Sequence, residues 1–184
     1  MAQSGSGARI ALQQAAVELF RERGFDRTTA AEIAVRAGVT ERTFFRYFPD
    51  KREVLFDGQA VLVSALTVSI ADAPAGLGPL DTLFHAFRLV VPLLESNRPF
   101  SKPRHEVIAA TPALHERELA KLAALSDALA LALQTRGIPG LRADLAARAG
   151  LAAFAHATVS WLEHEKPGLA EQLDTAEREL KAVL

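Results

Sequence analysis

Two arginines, a threonine and three aromatic rings crowd into the run Arg42–Tyr47. Arg42 and Arg46 are four residues apart, a spacing that puts two side chains on one side of a helix. A guanidinium so placed can bond guanine O6 and N7 together inside a DNA major groove. Thr43 and the Tyr47 hydroxyl suit phosphate oxygens, which position a protein without reading sequence. Phe44 and Phe48 are also four apart and are expected to face inward. Phe45 is then left outside with Tyr47, beside the two arginines. The alternative, with every ring in a core, needs a very wide apolar face on a short helix. Lys51 and Arg52 follow in the expected first turn of the next helix, where cations oppose the helix dipole unless an anion lies near. Taken alone, that pair reads equally well as solvated surface charge.

The elements that position these residues are marked by their caps. Thr29 and Glu32 have the spacing of a capping box. Ala30, Ile33, Ala34 and Ala37 then form a narrow apolar stripe. Gly38 is expected to take the left-handed conformation that ends a helix. Val39 follows, and Thr40 caps a second short helix, with Val39 and Phe44 spaced as a hydrophobic staple. Pro49 stops that helix. Asp50 and Glu53 repeat the capping-box spacing and predict a connecting helix over 51–71. Two short helices joined by a glycine turn, with cations and rings on the second, have the design of a helix-turn-helix DNA reader.

The segment 10–55 resembles the N-terminal DNA-binding domain of TetR-family transcriptional regulators, through AAVELFRERGF, TTAAEIAVRAGV and TERTFFRYFPDKREVL. The resemblance implies that Arg42, Thr43 and Arg46 approach bases, and that Thr29, Phe45, Tyr47 and Lys51 approach phosphate. Thr40, which opens the reading helix, belongs to the same DNA-binding set. The resemblance also implies a homodimer, a palindromic double-stranded operator and a C-terminal domain that senses a small molecule. The stretch NRPFSKPRHEVIAATPALHERELAKLAALSDALALAL resembles the branch of that family described as binding acyl-CoA-like ligands. That implies an apolar effector with a polar or anionic head.

Composition fits an all-α chain of about nine helices, and the resemblance implies an N-terminal three-helix helix-turn-helix domain and a C-terminal helical bundle for ligand binding and dimerisation. Hydrophobic residues make up 49% of the 184, and strand-like alternation is absent. The expected division is a DNA-binding domain over 1–52, with 1–8 a flexible tail, and a ligand-binding and dimerisation domain over 53–184. Residues 1–52 carry nine Lys and Arg against six Asp and Glu, while 53–184 carry twelve against sixteen. Positive charge gathered at one end suits a nucleic-acid binder even at a net charge of −1. There is no cysteine, hence no disulfide framework. No signal-like N-terminus or long apolar run appears, so a cytoplasmic protein without a membrane partner is expected.

Beyond residue 71, ADAPAGLGP is a loop, and a helix is expected over 80–95 with a kink or early end at Pro92. Residues 97–103 read as a break, Thr111-Pro112 as a helix start, and further helices as 141–164 and 169–183. The alanine-rich run 143–157 and the stripe Leu169, Leu173, Ala176, Leu180 suit a four-helix dimer surface or packing inside one subunit, with 113–136 a competing dimer helix. An effector pocket needs apolar walls and a few convergent polar groups. Phe84, Phe87 and Trp161 are candidate walls, with Arg88 and His156 candidate polar ends; plain core and surface roles are the alternatives. Arg104 and His105 read as an exposed pair.

No phosphate-binding loop, zinc-spaced histidine pair or nucleophile elbow is present, which argues against an enzyme and against a cofactor other than the effector. The rival to a DNA-binding regulator is a ligand-binding or interaction protein of the same fold without specific DNA binding.

Overall fold

A computed structural model describes residues 5–164 and 166–183. The described residues form α1 (Gly5–Arg23), α2 (Ala30–Arg36), α3 (Glu41–Tyr47), a 3-10 turn (Glu53–Leu55), α4 (Gln59–Ala71), α5 (Pro79–Ser96), α6 (Arg98–Ala109), α7 (Pro112–Thr135), α8 (Gly140–Glu163) and α9 (Leu169–Val183). The fold is all-α, as the composition predicts. Residues 1–4 of the expected tail lie outside the described residues. The rest of that tail is helical, because Ala8 is buried and Arg9 is anchored to Asp57. No helix among the described residues is long and apolar enough to cross a membrane.

The chain divides into two compact units, Met1–Gly58 with Phe100–Glu118, and Gln59–Pro99 with Leu119–Leu184. The first unit thus runs past the expected limit at residue 52 and recruits a segment read from sequence as part of the second domain. Its core gathers Leu12, Leu19 and Phe20 of α1, Ile33 of α2, Phe44 of α3, and Val107, Ile108 and Leu114. Arg104 donates to the Leu55 carbonyl and lies over the Phe56 ring, and Arg117 pairs with Glu53 at 2.7 Å. Arg104 is therefore half-buried, not the exposed residue expected; burial pushes its pKa down and Glu118 opposes that shift.

The expected helix over 51–71 is split. Val54, Leu55 and Phe56 are consecutive and all buried. The chain instead makes a 3-10 turn, Asp57 turns back to Arg9 and Gln13, and α4 starts afresh at Gln59. Two further breaks are absent. Helix α5 continues through Pro92, which is exposed, so the carbonyl left without a donor at Arg88 lies on a solvated side. Helix α6 spans most of the expected break, with Pro99 in its first turn, where no N–H is needed.

In the second unit α5 packs against α4, α8 and α9. Phe84 and Phe87 of α5, Leu129 and Leu133 of α7, Phe154 and Trp161 of α8, and Leu169 and Leu173 of α9 share one core. One face of the small-residue run of α8 is internal. Ala143, Ala147, Gly150 and Ala157 are buried, and a Cβ added at Gly150 would lie 2.9 Å from Leu83 Cδ1. Leu169, Leu173, Ala176 and Leu180 also face this core. Both stripes are therefore used within one protomer.

Candidate nucleic-acid interface

Helix α3 is anchored from below and open above. The Thr40 hydroxyl caps it by accepting from the Thr43 backbone N–H at 3.2 Å. Phe44 is 0% exposed and Phe48 1%. Phe45, between them in sequence, is 51% exposed, with its ring edge-on to Phe44 at a centroid distance of 5.4 Å. Arg42 and Arg46 are exposed, as are Thr40 and Glu41. The Arg46 guanidinium lies 4.9 Å from the centre of the Tyr47 ring and donates to its hydroxyl at 3.2 Å. Tyr47 is half-buried against the core of this unit, and Thr43 is half-buried with its hydroxyl 3.0 Å from that of Thr40. Arg42, Phe45 and Arg46 thus stand outermost, with Thr43 and Tyr47 at the edge.

The turn before α3 fixes its direction. Gly38 has φ +70°, the left-handed region that glycine enters without strain. The Gly38 N–H donates to the Val35 carbonyl at 3.0 Å and the Val39 N–H to the Ala34 carbonyl at 2.9 Å. This pair of bonds closes α2 as a Schellman motif. At the other end of α2, the Thr29 hydroxyl accepts from the Glu32 N–H while Glu32 accepts from the Thr29 backbone and hydroxyl. The Thr29 donors expected at phosphate are therefore engaged by a carboxylate, and Thr29 serves here as a cap.

Lys51 also has a structural task. Its ammonium donates to the Phe25 carbonyl at 2.7 Å and the Thr28 carbonyl at 3.0 Å, and lies 4.1 Å from the centre of the Phe25 ring. An ammonium has three donors, so one is left for a phosphate.

Two carboxylates of the motif, Glu32 and Asp50, are held ionised. Hydrogen bonds from the Thr29 backbone and hydroxyl, with Arg23 nearby, hold Glu32 below its ordinary value. Burial raises the Asp50 pKa, but the Arg52 side chain and the backbone N–H groups of Arg52 and Glu53 lower it further, for a net downward shift. Arg36 bridges Glu22 and Glu18 on α1, and its pKa is raised by those bonds.

Of the expected pocket residues, the three aromatic walls share one core in the second unit, while the two polar ends are exposed. Phe84 and Phe87 are fully buried and Trp161 nearly so, all within the core. Phe87 stacks on Phe154 at 4.5 Å. Arg88 is exposed and paired with Asp174 at 2.7 Å and with Glu177, which ties α5 to α9. His156 is exposed, on the α8 row that also carries Leu145 and Ala152. Both polar candidates thus stand exposed, Arg88 engaged by carboxylates of α9.

Sequence reasoning missed Arg98 and Gln59. Arg98 lies 5.2 Å from the centre of the Trp161 ring, and one of its NH2 groups donates to the Trp161 and His164 carbonyls at 3.1 Å each. Its Nε is buried without a partner, as is Oε1 of Gln59, whose amide nitrogen donates to the Lys121 carbonyl at 2.8 Å. Arg98 sits between Asn97 and Pro99, which read as loop, so no periodicity marked it.

Comparison with known proteins bears on both units. The family model described as bacterial regulatory proteins, tetR family, matches residues 12–57, and the model described as MftR C-terminal domain matches 77–184. The HTH-type transcriptional regulator TcmR of Streptomyces glaucescens is 38% identical over 76 residues, which take in 41% of this chain but only 34% of that relative. Among solved structures, Thermus thermophilus FadR, a TetR-family transcriptional repressor in complex with lauroyl-CoA, is 30% identical. It superposes with a TM-score of 0.59 over 94% of this chain and 92% of its own. SmeT of Stenotrophomonas maltophilia in complex with triclosan shares the fold, with a TM-score of 0.68 at 22% identity, over 96% of this chain and 90% of its own.

Proposed function

The chain belongs to the TetR family of bacterial transcriptional regulators, and from that premise we propose that it is a sequence-specific DNA-binding repressor released by a small apolar or amphipathic effector. The observation that carries this reading is the outer face of α3, where Arg42, Phe45 and Arg46 stand exposed above a buried Phe44 and Phe48. Arg42 and Arg46 read base edges. Thr43, the Tyr47 hydroxyl and the third donor of Lys51 take phosphate oxygens. Thr29 and Thr40 contribute by holding α2 and α3 at their caps.

Two copies of the chain place α3 in successive major grooves of an inverted repeat, about one turn (~34 Å) apart or a little more. Exposed Leu141 and Leu145 on α8 support self-association through the second unit. The effector binds the second unit. The acyl-CoA held by the Thermus relative supports an apolar body with an anionic head. The unpartnered Nε of Arg98 beside Trp161, not Arg88 or His156, supports the head contact. Such a ligand releases DNA only if it binds the DNA-incompetent state more tightly than the competent one.

The test is selection of random duplexes by the purified chain, with Arg46→Ala alongside. The reading expects an enriched inverted repeat that the variant fails to recover. No enrichment with the wild-type chain would favour a ligand-binding protein of this fold that does not read DNA.

A further inference from the structure

Phe45 is 51% exposed on the reading helix, yet its side chain has no donor or acceptor. The family resemblance implies a phosphate neighbour for it. A bare phenyl ring has no hydrogen-bond donor for a hydrated anion, and its face is itself negative. The ring also rests against the core. It meets buried Phe44 edge-on at 81° between planes, and the N–H donors of Arg42 and Arg46 are on residues three before it and one after. On a helix, residues three and four apart are neighbours, so Arg42 adjoins both Phe45 and Arg46. A partner that fits this face presents hydrogen-bond acceptors with one apolar group close beside them. In the major groove the base-pair edges carry one such group, the C5 methyl of thymine, next to acceptors such as guanine O6 and N7.

We propose that Phe45 is a specificity-determining residue that reads a thymine methyl in each half-site, within reach of the guanine contacts of Arg42 and Arg46. This rests on the reading of α3 as the DNA-contacting helix. It assigns Phe45 to a base, where the resemblance implies phosphate.

The experiment removes the methyl alone. In a duplex recovered by selection, each thymine of the half-site is replaced in turn by deoxyuridine, symmetrically in both halves. Affinity is measured for the wild-type chain, Phe45→Ala and Phe45→Leu, with helicity checked by circular dichroism. At one thymine per half-site the wild type should weaken by about fourfold for each methyl, on the order of fifteenfold for the pair. Phe45→Ala should bind the thymine and uracil duplexes alike, and Phe45→Leu should recover part of the discrimination. A cytosine placed there should bind weakly and 5-methylcytosine should regain affinity.

If no thymine responds while the duplex is still selected over scrambled DNA, the assignment of Phe45 fails and the DNA-binding reading stands. If Phe45→Ala responds to the missing methyl as strongly as the wild type, another residue reads it and the proposal is equally overturned. Failure to select any duplex removes the premise and the proposal together.

Discussion

The chain holds two groups of four aromatic rings, Phe44, Phe45, Tyr47 and Phe48 at the reading helix and Phe84, Phe87, Phe154 and Trp161 in the second unit. In the second group all four are buried, and Phe87 stacks on Phe154 at 4.5 Å. In the first group Phe44 and Phe48 are buried, Tyr47 is half-buried, and Phe45 is 51% exposed beside cations. Burying a ring returns free energy to the fold. Leaving one in water returns none, unless a partner later covers it. The first group therefore divides its rings between holding α3 and presenting a surface. The second spends all of its rings on the core, and Arg88 and His156, close to them in sequence, are exposed.

That contrast makes graded predictions. Phe87→Ala should destabilise the second unit most, by about 3–5 kcal/mol, seen as a lower thermal midpoint. Phe45→Ala should leave that midpoint nearly unchanged; a loss as large as that of Phe87→Ala would erase the distinction between the two groups. Arg46→Ala should cost ~1–3 kcal/mol of operator affinity and relax specificity at one base position, with no loss of stability. Equal weakening on every sequence would reassign Arg46 to phosphate. Thr29→Ala removes the cap of α2 and should cost about 1 kcal/mol of stability in denaturant titration. An unchanged midpoint would mean that the capping bonds contribute nothing net.

The smallest effect concerns acid. The Asp50 carboxyl titrates below its ordinary 3.8 in the folded chain. Its contribution is thus present above that value and is lost as pH falls through the lower folded-state pKa. Asp50→Asn keeps a capping oxygen but cannot titrate. Its stability should fall slightly less than that of the wild type between neutral pH and pH about 3. A steeper acid loss in the variant would contradict the sign of this shift.

The reading helix was legible in the sequence because its determinants are local. Thr29 and Glu32, Gly38, and Thr40 act within a few residues of themselves, and Phe44 and Phe48 declare their face by spacing. What escaped depends on distant partners or on register. Nothing near Glu53 announces that Arg117 will pair with it, or near Leu55 that Arg104 will bond its carbonyl. The recruitment of 100–118 to the first unit was therefore invisible. Arg88 finds its carboxylates more than eighty residues away, on α9. His156 stands between Ala155 and Ala157, and alanine on both sides gives no amphipathic contrast from which to tell inside from outside.

The central claim is that the outer face of α3 reads DNA sequence. Its most direct test is a fluorescence-anisotropy titration of the purified chain, at one fixed salt concentration, against the duplex it selects and a scrambled duplex of equal length. The account predicts binding to the selected duplex at least about a thousandfold tighter. A ratio near one from a fully helical protein would contradict it.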